Sequence, residues 1–234
     1  MSSSIPKLMH AVILTGHGDI NKLEYKTDID VPVPKEDEVL IKVKGAGVNN
    51  TDINTRIGWY SKSAKKNPND GSWSGNPLNF PIIQGADICG YIVAVGSKVN
   101  QSRIGERVIV RTMQTVPENN KKFSAWTVGS ECNGGFAQYT SIRSSEAFSI
   151  NSTWSDIELA SIPCAYSTAE GLLHRSQVKK EKILITGASG GVGSAAIQLA
   201  KLRGATIIAQ IASEKQDEVK KIGVDQILFR DKAN

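Results

Sequence analysis

The sequence predicts an α/β protein in which a β-rich N-terminal part is followed by a parallel sheet with helices. Residues 8–150 hold many short apolar runs separated by Gly, Pro and Asn, and from about residue 155 strand-like and helix-like segments alternate. The first pattern is typical of a small barrel or sandwich, and the second is typical of a parallel sheet covered on both faces. We therefore predict two domains, 1–154 and 155–234.

Composition and charge are those of a soluble globular protein. Of the 234 residues, 40% are hydrophobic and 22% are charged, which excludes a disordered or fibrous chain. The net charge is 28 − 23 = +5, and the basic residues are scattered in short pairs, so we expect no nucleic-acid partner. No apolar run approaches the roughly 18 residues that span a bilayer, and the N-terminus lacks the apolar core of a signal peptide. We expect no membrane partner and a cytoplasmic location.

Short apolar runs predict the strands of the N-terminal part. In Val39–Lys44, apolar and polar residues alternate, which indicates a half-buried strand. Residues 61–79 and 112–134 are polar and rich in turn-forming residues, so we predict two loops there. The runs that predict strands are 11–14, 38–43, 90–95 and 107–110.

The C-terminal part predicts alternating helices and strands. Ser155 is a helix N-cap with Glu158 three residues further on, and Gly204 and Gly223 end two later helices. The predicted strands are 182–186, 206–211 and 226–229, and the predicted helices are 164–174, 192–203 and about 214–222.

A glycine-rich turn is the strongest local signal. Residues 186–193 read Thr-Gly-Ala-Ser-Gly-Gly-Val-Gly, directly after a predicted strand and at the start of a helix. Glycines let the backbone approach a pyrophosphate, and the amides of the helix N-terminus then face that anion. A plain turn is the alternative, but four glycines within residues 187–193 are costly for a turn alone. The predicted cofactor-binding residues here are Ala188, Ser189, Gly190, Gly191, Val192 and Gly193.

The residues after the second predicted strand favour NADPH. Enzymes that use NAD often place an acid at the end of this strand, bonded to the ribose 2′-hydroxyl. Here Gln210 stands at the expected position, and Ser213 and Lys215 follow it as candidate contacts to a 2′-phosphate. Glu214 leaves NADH open as the alternative cofactor.

These features together resemble the medium-chain dehydrogenase/reductase superfamily, and within it the zinc-independent quinone-oxidoreductase, or zeta-crystallin-like, branch. The resemblance covers residues 9–230 and implies a GroES-like β-barrel domain followed by a Rossmann doubly wound sheet. Lys180 departs from the pattern of this branch. The residues that carry the resemblance are Leu184, Ala188–Gly191, Gly193, Gln198 and Lys201, together with Gly85–Gly90, Gly96, Gly105–Val108 and Gly134–Tyr139.

Comparison with the zinc-dependent alcohol dehydrogenase branch of the superfamily predicts no metal. That branch holds its catalytic zinc with a Cys, a His–Glu pair and a second Cys. The matching positions here are Asn49, Ala86-Asp87 and Cys164, so a single thiolate remains where zinc needs three protein ligands. Cys89 and Cys132 are too widely spaced to build a structural zinc site.

The resemblance also implies residues near the nicotinamide. Asn49 matches the zinc-free branch, where Val48-Asn49 begins a short helix beside the cofactor, so Asn49 is predicted to bind cofactor and, with Asp52 and Tyr60, to act in catalysis. Tyr60 would donate a hydrogen bond to a substrate carbonyl or relay a proton. The alternatives are a helix N-cap for Asn49 and a packing aromatic for Tyr60. Thr168, on the helix that reaches the cleft in the family, is predicted to contact cofactor.

The implied function is hydride transfer from NADPH to a small quinone, enone or related carbonyl compound. Without a metal, hydrogen-bond donors must meet the developing oxyanion, which favours conjugated substrates over simple alcohols, the alternative substrates.

The length predicts a truncated chain. A dinucleotide fold has strand order 3-2-1-4-5-6, and this chain supplies strands 1–3, so we expect C-terminal truncation. A non-catalytic nucleotide-binding remnant, or a subunit that depends on a partner, is the alternative function. A homo-oligomer of a full-length form is left open.

Overall fold

The computed structural model describes residues 4–61, 71–73, 77–115 and 125–232. Its contacts divide the chain into two compact units, Met1–Pro163 and Cys164–Asn234. The contacts place residues 155–163 with the first unit, so the division falls later in the chain than the predicted boundary. The reason is that Leu159 and Ala160 are buried against Cys89 of the first unit.

In its described residues, the first unit contains antiparallel strands and two short α-helices. One sheet has the order β10-β6-β5-β3-β9, a second has the order β2-β1-β4, and β7 pairs with β8. The strands are β1 (Leu8–Leu14), β2 (Leu23–Asp30), β3 (Glu38–Gly47), β4 (Ile82–Ile83), β5 (Asp87–Val95), β6 (Arg107–Val110), β7 (Met113–Thr115), β8 (Ala125–Thr127), β9 (Tyr139–Arg143) and β10 (Ala147–Ser149), and the helices are α1 (Asn50–Arg56) and α2 (Asp156–Ala160).

Strand β3 is more buried than the sequence predicts. Val39 and Ile41 lie in the larger apolar core, with Ile88 and Val108. Leu40, on the opposite face, is also buried, in a second cluster that includes Met9, Ala11 and Ile83. The prediction of a half-buried strand is therefore wrong for Val39–Ile41, because apolar clusters cover both faces of the strand.

The predicted loop at 112–134 contains strand structure. Met113 pairs with Thr127 and Gln114 with Trp126 in the antiparallel pair of β7 and β8. The loop prediction is wrong for these residues, since three-residue polar strands carry too little apolar pattern to be recognised. Residues 116–124, and most of the other predicted loop at 61–79, lie outside the described residues.

The second unit is a three-stranded parallel sheet with helices. The strands follow the order β11-β12-β13, which confirms the predicted first half of a doubly wound sheet. All three strands have the predicted bounds. The elements are α3 (Pro163–Arg175), β11 (Lys182–Thr186), α4 (Gly191–Leu202), β12 (Thr206–Ile211), α5 (Gln216–Lys221) and β13 (Gln226–Phe229).

Apolar residues of the sheet and of α4 form the core of this unit. Ile197 and Ala200 of α4 are buried against Ile207, Ala209 and Ile211 of β12. In the described part of the chain β11 has a neighbouring strand on one side, and its Leu184 is 54% exposed.

Among the helices in the described ranges, none is both long enough and apolar enough to cross a bilayer.

Candidate functional site

The glycine-rich turn lies between β11 and α4, at the carboxyl end of the parallel sheet. Gly187 adopts φ +59°, a left-handed conformation that other residues rarely take. Gly193 packs against this turn so closely that a Cβ there would lie 2.6 Å from the Ala188 Cα and would collide with the Gly187 carbonyl oxygen. These two glycines are therefore required by the shape of the turn itself.

Helix α4 presents backbone donors directly after this turn. Gly190 is its N-cap, and the N–H of Ser194 donates to the Gly190 carbonyl at 2.8 Å. The N–H groups of Gly191, Val192 and Gly193 precede this helical bond, so they point out of the helix N-terminus. The first turn of α4 contains no acidic residue. This arrangement suits an anion, because the amides and the helix dipole both favour negative charge.

The end of β12 lies beside the glycine turn. The Ala188 N–H donates to the Gln210 carbonyl at 3.3 Å, which brings the turn and the end of the second strand together. Ser213 and Lys215 follow β12 in a 3₁₀ turn. The residues of the glycine turn and the candidate 2′-phosphate contacts therefore lie at the same edge of the sheet.

Asp231, which was not among the predicted site residues, accepts hydrogen bonds from both donor groups of Ser213. The Ser213 N–H donates to Asp231 Oδ1 at 3.0 Å, and its Oγ donates to Asp231 Oδ2 at 2.8 Å. These hydrogen bonds hold the pKa of Asp231 below its usual range. Lys215 Nζ lies 3.4 Å from Glu218 Oε1. Asp231 could have been found, because residues that follow parallel strands meet at the same edge.

In the first unit, Asn49 and Asp52 meet at the N-terminus of α1. Asn49 is the N-cap of the helix, and its N–H donates to Asp52 Oδ2 at 2.8 Å. The Gly85 N–H donates to Asp52 Oδ1 at 3.3 Å. Burial raises the pKa of Asp52 to about 6, although these two backbone hydrogen bonds oppose the shift. Asp52 therefore titrates closer to neutrality than an ordinary carboxyl group.

Asp87 joins this cluster from β5. The side-chain amide Nδ2 of Asn49 donates to Asp87 Oδ2 at 2.9 Å, and Thr112 Oγ1 donates to Asp87 Oδ1 at 3.3 Å. Asp87 is 2% exposed. Asp87 stands at the position of a zinc-site residue in the sequence comparison, and sequence alone assigns it no role, because its contact with Asn49 spans 38 positions of the chain.

Tyr60 lies against the first turns of α1. Its hydroxyl donates to Thr51 Oγ1 at 3.4 Å and accepts from Asn54 Nδ2 at 3.3 Å. Its ring is packed edge-on against Trp59, with centroids 5.3 Å apart. The long hydrogen bonds leave the hydroxyl weakly held, which is compatible with both predicted roles of this residue.

Thr168 lies on α3 and is exposed. Its Oγ1 donates to the Cys164 carbonyl at 2.7 Å, so its oxygen can still accept a hydrogen bond but its proton is used within the helix.

Neither Cys89 nor Cys132 has the environment of a reactive thiol. Burial raises the pKa of Cys89 to about 11 and that of Cys132 to about 12, so both thiols remain protonated at neutral pH. In the described ranges we find no group of three or more His, Cys, Asp or Glu side chains arranged to hold a metal ion.

Comparison with known proteins defines the class to which this fold and these residues belong. Residues 35–152 match the family of the alcohol dehydrogenase GroES-like domain. The chain belongs to this family, and with it to the medium-chain dehydrogenase/reductase superfamily, as its resemblance implies. The prediction of a GroES-like domain followed by a partial Rossmann sheet is confirmed.

Individual relatives are oxidoreductases by name. The chain is 32% identical to the chloroplastic NADPH-dependent alkenal/one oxidoreductase of Arabidopsis thaliana over 99% of this chain and 55% of that protein. It is 32% identical to the quinone oxidoreductase of Homo sapiens over 91% of this chain and 56% of that protein.

Among solved structures, a putative alcohol dehydrogenase from Sinorhizobium meliloti 1021 superimposes with a TM-score of 0.89 at 42% identity. This match covers 98% of the present chain and 64% of the other. The chain spans about half the length of the curated relatives it matches.

Proposed function

We propose that this chain carries the GroES-like domain and the first half of the nucleotide-binding domain of a zinc-independent oxidoreductase, which transfers hydride from NADPH to a quinone, an enone or a related conjugated carbonyl compound. The observation that carries the proposal is the glycine turn, where the N–H groups of Gly191, Val192 and Gly193 face outward at the carboxyl end of a parallel sheet. This is the arrangement that binds the pyrophosphate of a dinucleotide.

The names of the relatives support the choice of cofactor and substrate. The protein from Arabidopsis thaliana is named for NADPH and for alkenal/one substrates, and the human relative is named for quinones. Both substrate classes are conjugated carbonyl compounds, in which the negative charge that follows hydride addition is already delocalised.

The residues of the chain would divide the work between binding and proton handling. The coenzyme supplies the hydride. The outward N–H groups of α4 would bind its diphosphate, and Ser213 and Lys215 would bind the 2′-phosphate. Asn49 would bind the nicotinamide end, and Tyr60 would donate a hydrogen bond to the substrate carbonyl.

Asp52 is suited to hold a proton and to release it near neutral pH. Its pKa of about 6 allows a fraction of the protein to carry the acid form at neutral pH. The donor set supports zinc independence, because Asn49 and Ala86 provide neither thiolate nor imidazole at the positions of two zinc ligands.

Oxidation of simple alcohols is the second candidate function. It is favoured by the 42% identity with a structure described as a putative alcohol dehydrogenase. A nucleotide-binding remnant or a partner-dependent subunit is the third candidate.

The test is an NADPH titration of the 234-residue chain, followed by turnover assays with quinones, enones and alcohols. We expect NADPH to bind. We also expect NADPH oxidation by quinones or enones to be faster than NADP⁺ reduction by simple alcohols. If the chain binds neither NADPH nor NADH, the proposal is contradicted. Binding without turnover of any substrate would favour the remnant or the partner-dependent subunit.

A further inference from the structure

Asp87 is a buried carboxylate at the first position of β5, and the surrounding chain makes room for it. It pairs in register with Gly47 of β3. A Cβ on Gly47 would lie 2.9 Å from the Asp87 Cβ and 3.1 Å from its Oδ2. Because burying a charge is costly unless it is hydrogen-bonded, the residues around Asp87 must supply donors.

The hydrogen bond to Asp87 determines which way the side-chain amide of Asn49 points. The carboxylate oxygens of Asp87 accept hydrogen bonds, and the side chain of Asn49 turns its NH₂ group toward Oδ2. The 2.9 Å distance from Nδ2 to Oδ2 is that of a well-formed N–H···O hydrogen bond. A second carboxylate, that of Asp52, holds the backbone N–H of the same residue at 2.8 Å. The side-chain oxygen of Asn49 also faces the backbone N–H of Asp52 in the capping box of α1, so Asn49 is held at three points and this oxygen keeps one further acceptor position for a ligand.

We infer that Asp87 is a positioning residue that sets the polarity of Asn49, so that the carbonyl oxygen of Asn49 accepts a hydrogen bond from the nicotinamide end of the coenzyme. The inference rests on the proposed function. The group that Asn49 recognises must then be a donor, either the carboxamide NH₂ of nicotinamide or a hydroxyl of the adjoining ribose. Thr112 supports this arrangement by donating to the other oxygen of Asp87.

Asp87→Asn is the direct test, because the substitution keeps the size of the side chain and replaces one of its two acceptor oxygens with a donor. The probes are NADPH and 2′-phospho-ADP-ribose, which lacks the nicotinamide. For the unmodified chain we expect NADPH to bind about tenfold more tightly than this analogue, and in Asp87→Asn we expect the difference to fall to about twofold. Asp30→Asn makes the same change at an exposed strand position and should leave the ratio unchanged.

A reciprocal exchange separates positioning from simple structural support. In the double variant Asn49→Asp with Asp87→Asn, the amide introduced at position 87 donates to the carboxylate introduced at position 49, whose second oxygen remains an acceptor. We expect this exchange to restore the preference for NADPH over 2′-phospho-ADP-ribose, whereas Asn49→Asp alone places two carboxylates face to face and should lose it. Melting temperatures of all variants are measured in parallel.

The outcomes distinguish this inference from the proposed function. An unchanged ratio in a folded Asp87→Asn, or an exchange variant that folds but does not regain the preference, would overturn the positioning role alone. If the unmodified chain binds neither probe, the proposed function falls and the inference falls with it. If Asp87→Asn fails to fold, the exchange variant still decides the question, and its failure to fold as well would overturn the role.

Discussion

The two candidate sites, one in each unit, are built from different parts of the chain. In the second unit the site consists of backbone N–H groups that the glycine turn exposes at the start of α4. In the first unit it consists of side chains, with Asn49 held between Asp52 and Asp87. The properties of the backbone site should therefore depend on the shape of the turn, and those of the side-chain site on the ionisation of its carboxylates. Each of these two expectations can be tested separately.

The largest expected effect is on the pH dependence of stability in the first unit. The pKa of Asp52 rises from 3.8 to about 6 on folding, so folding favours its protonated form. This contribution is fully present below about pH 4 and is lost as the pH rises through about 6, a difference of about 3 kcal/mol. The free energy of unfolding of the unmodified chain and of Asp52→Asn is measured by denaturant unfolding at several pH values. The difference between the two free energies should change with pH by this amount. A difference that stays constant from about pH 3.5 to about pH 7 would contradict the account.

The next effect concerns the backbone site, where two neighbouring glycines provide a matched pair. Gly193→Ala places a Cβ against the Gly187 carbonyl oxygen, so the turn must deform. Gly191→Ala places its Cβ 3.7 Å from that of Ala165, an ordinary contact. We expect Gly193→Ala to weaken NADPH binding by more than about tenfold and Gly191→Ala by less than about threefold. Equal losses in fluorescence titrations of the two variants would show that the shape of the turn does not control binding.

A smaller effect is expected at Asp231, because its carboxylate accepts hydrogen bonds from the N–H and hydroxyl groups of Ser213 that we propose bind the 2′-phosphate. Asp231→Asn removes a charge that NADPH would have to displace from Ser213. In parallel titrations with the two coenzymes, we expect NADPH to bind about fivefold more tightly and NADH to change by less than about twofold. Asp217→Asn, which replaces an acid in the first turn of α5, is the control. A gain for both coenzymes alike would show that Ser213 does not distinguish them.

The parts of the molecule that could be predicted from sequence are those fixed by local pattern. Strands β11, β12 and β13 are continuous apolar runs bounded by glycines or polar residues, and their bounds follow directly. The glycine turn was predictable for the same reason, since its requirements are local.

Long-range contacts account for what could not be predicted. Leu40 is buried by a cluster that includes Met9, which lies far away in the chain. Asp87 reaches Asn49 across 38 positions. No spacing rule connects such residues, so their roles depend on the tertiary fold.

The central claim is that backbone amides of the glycine turn bind the diphosphate of a nicotinamide coenzyme. The most direct measurement is an amide-resolved NMR titration of the ¹⁵N-labelled chain with NADPH and with 2′-phospho-ADP-ribose. The account predicts that the amide signals of Gly191, Val192 and Gly193 shift with both ligands and saturate together. Saturable binding that leaves these three signals unmoved would contradict it.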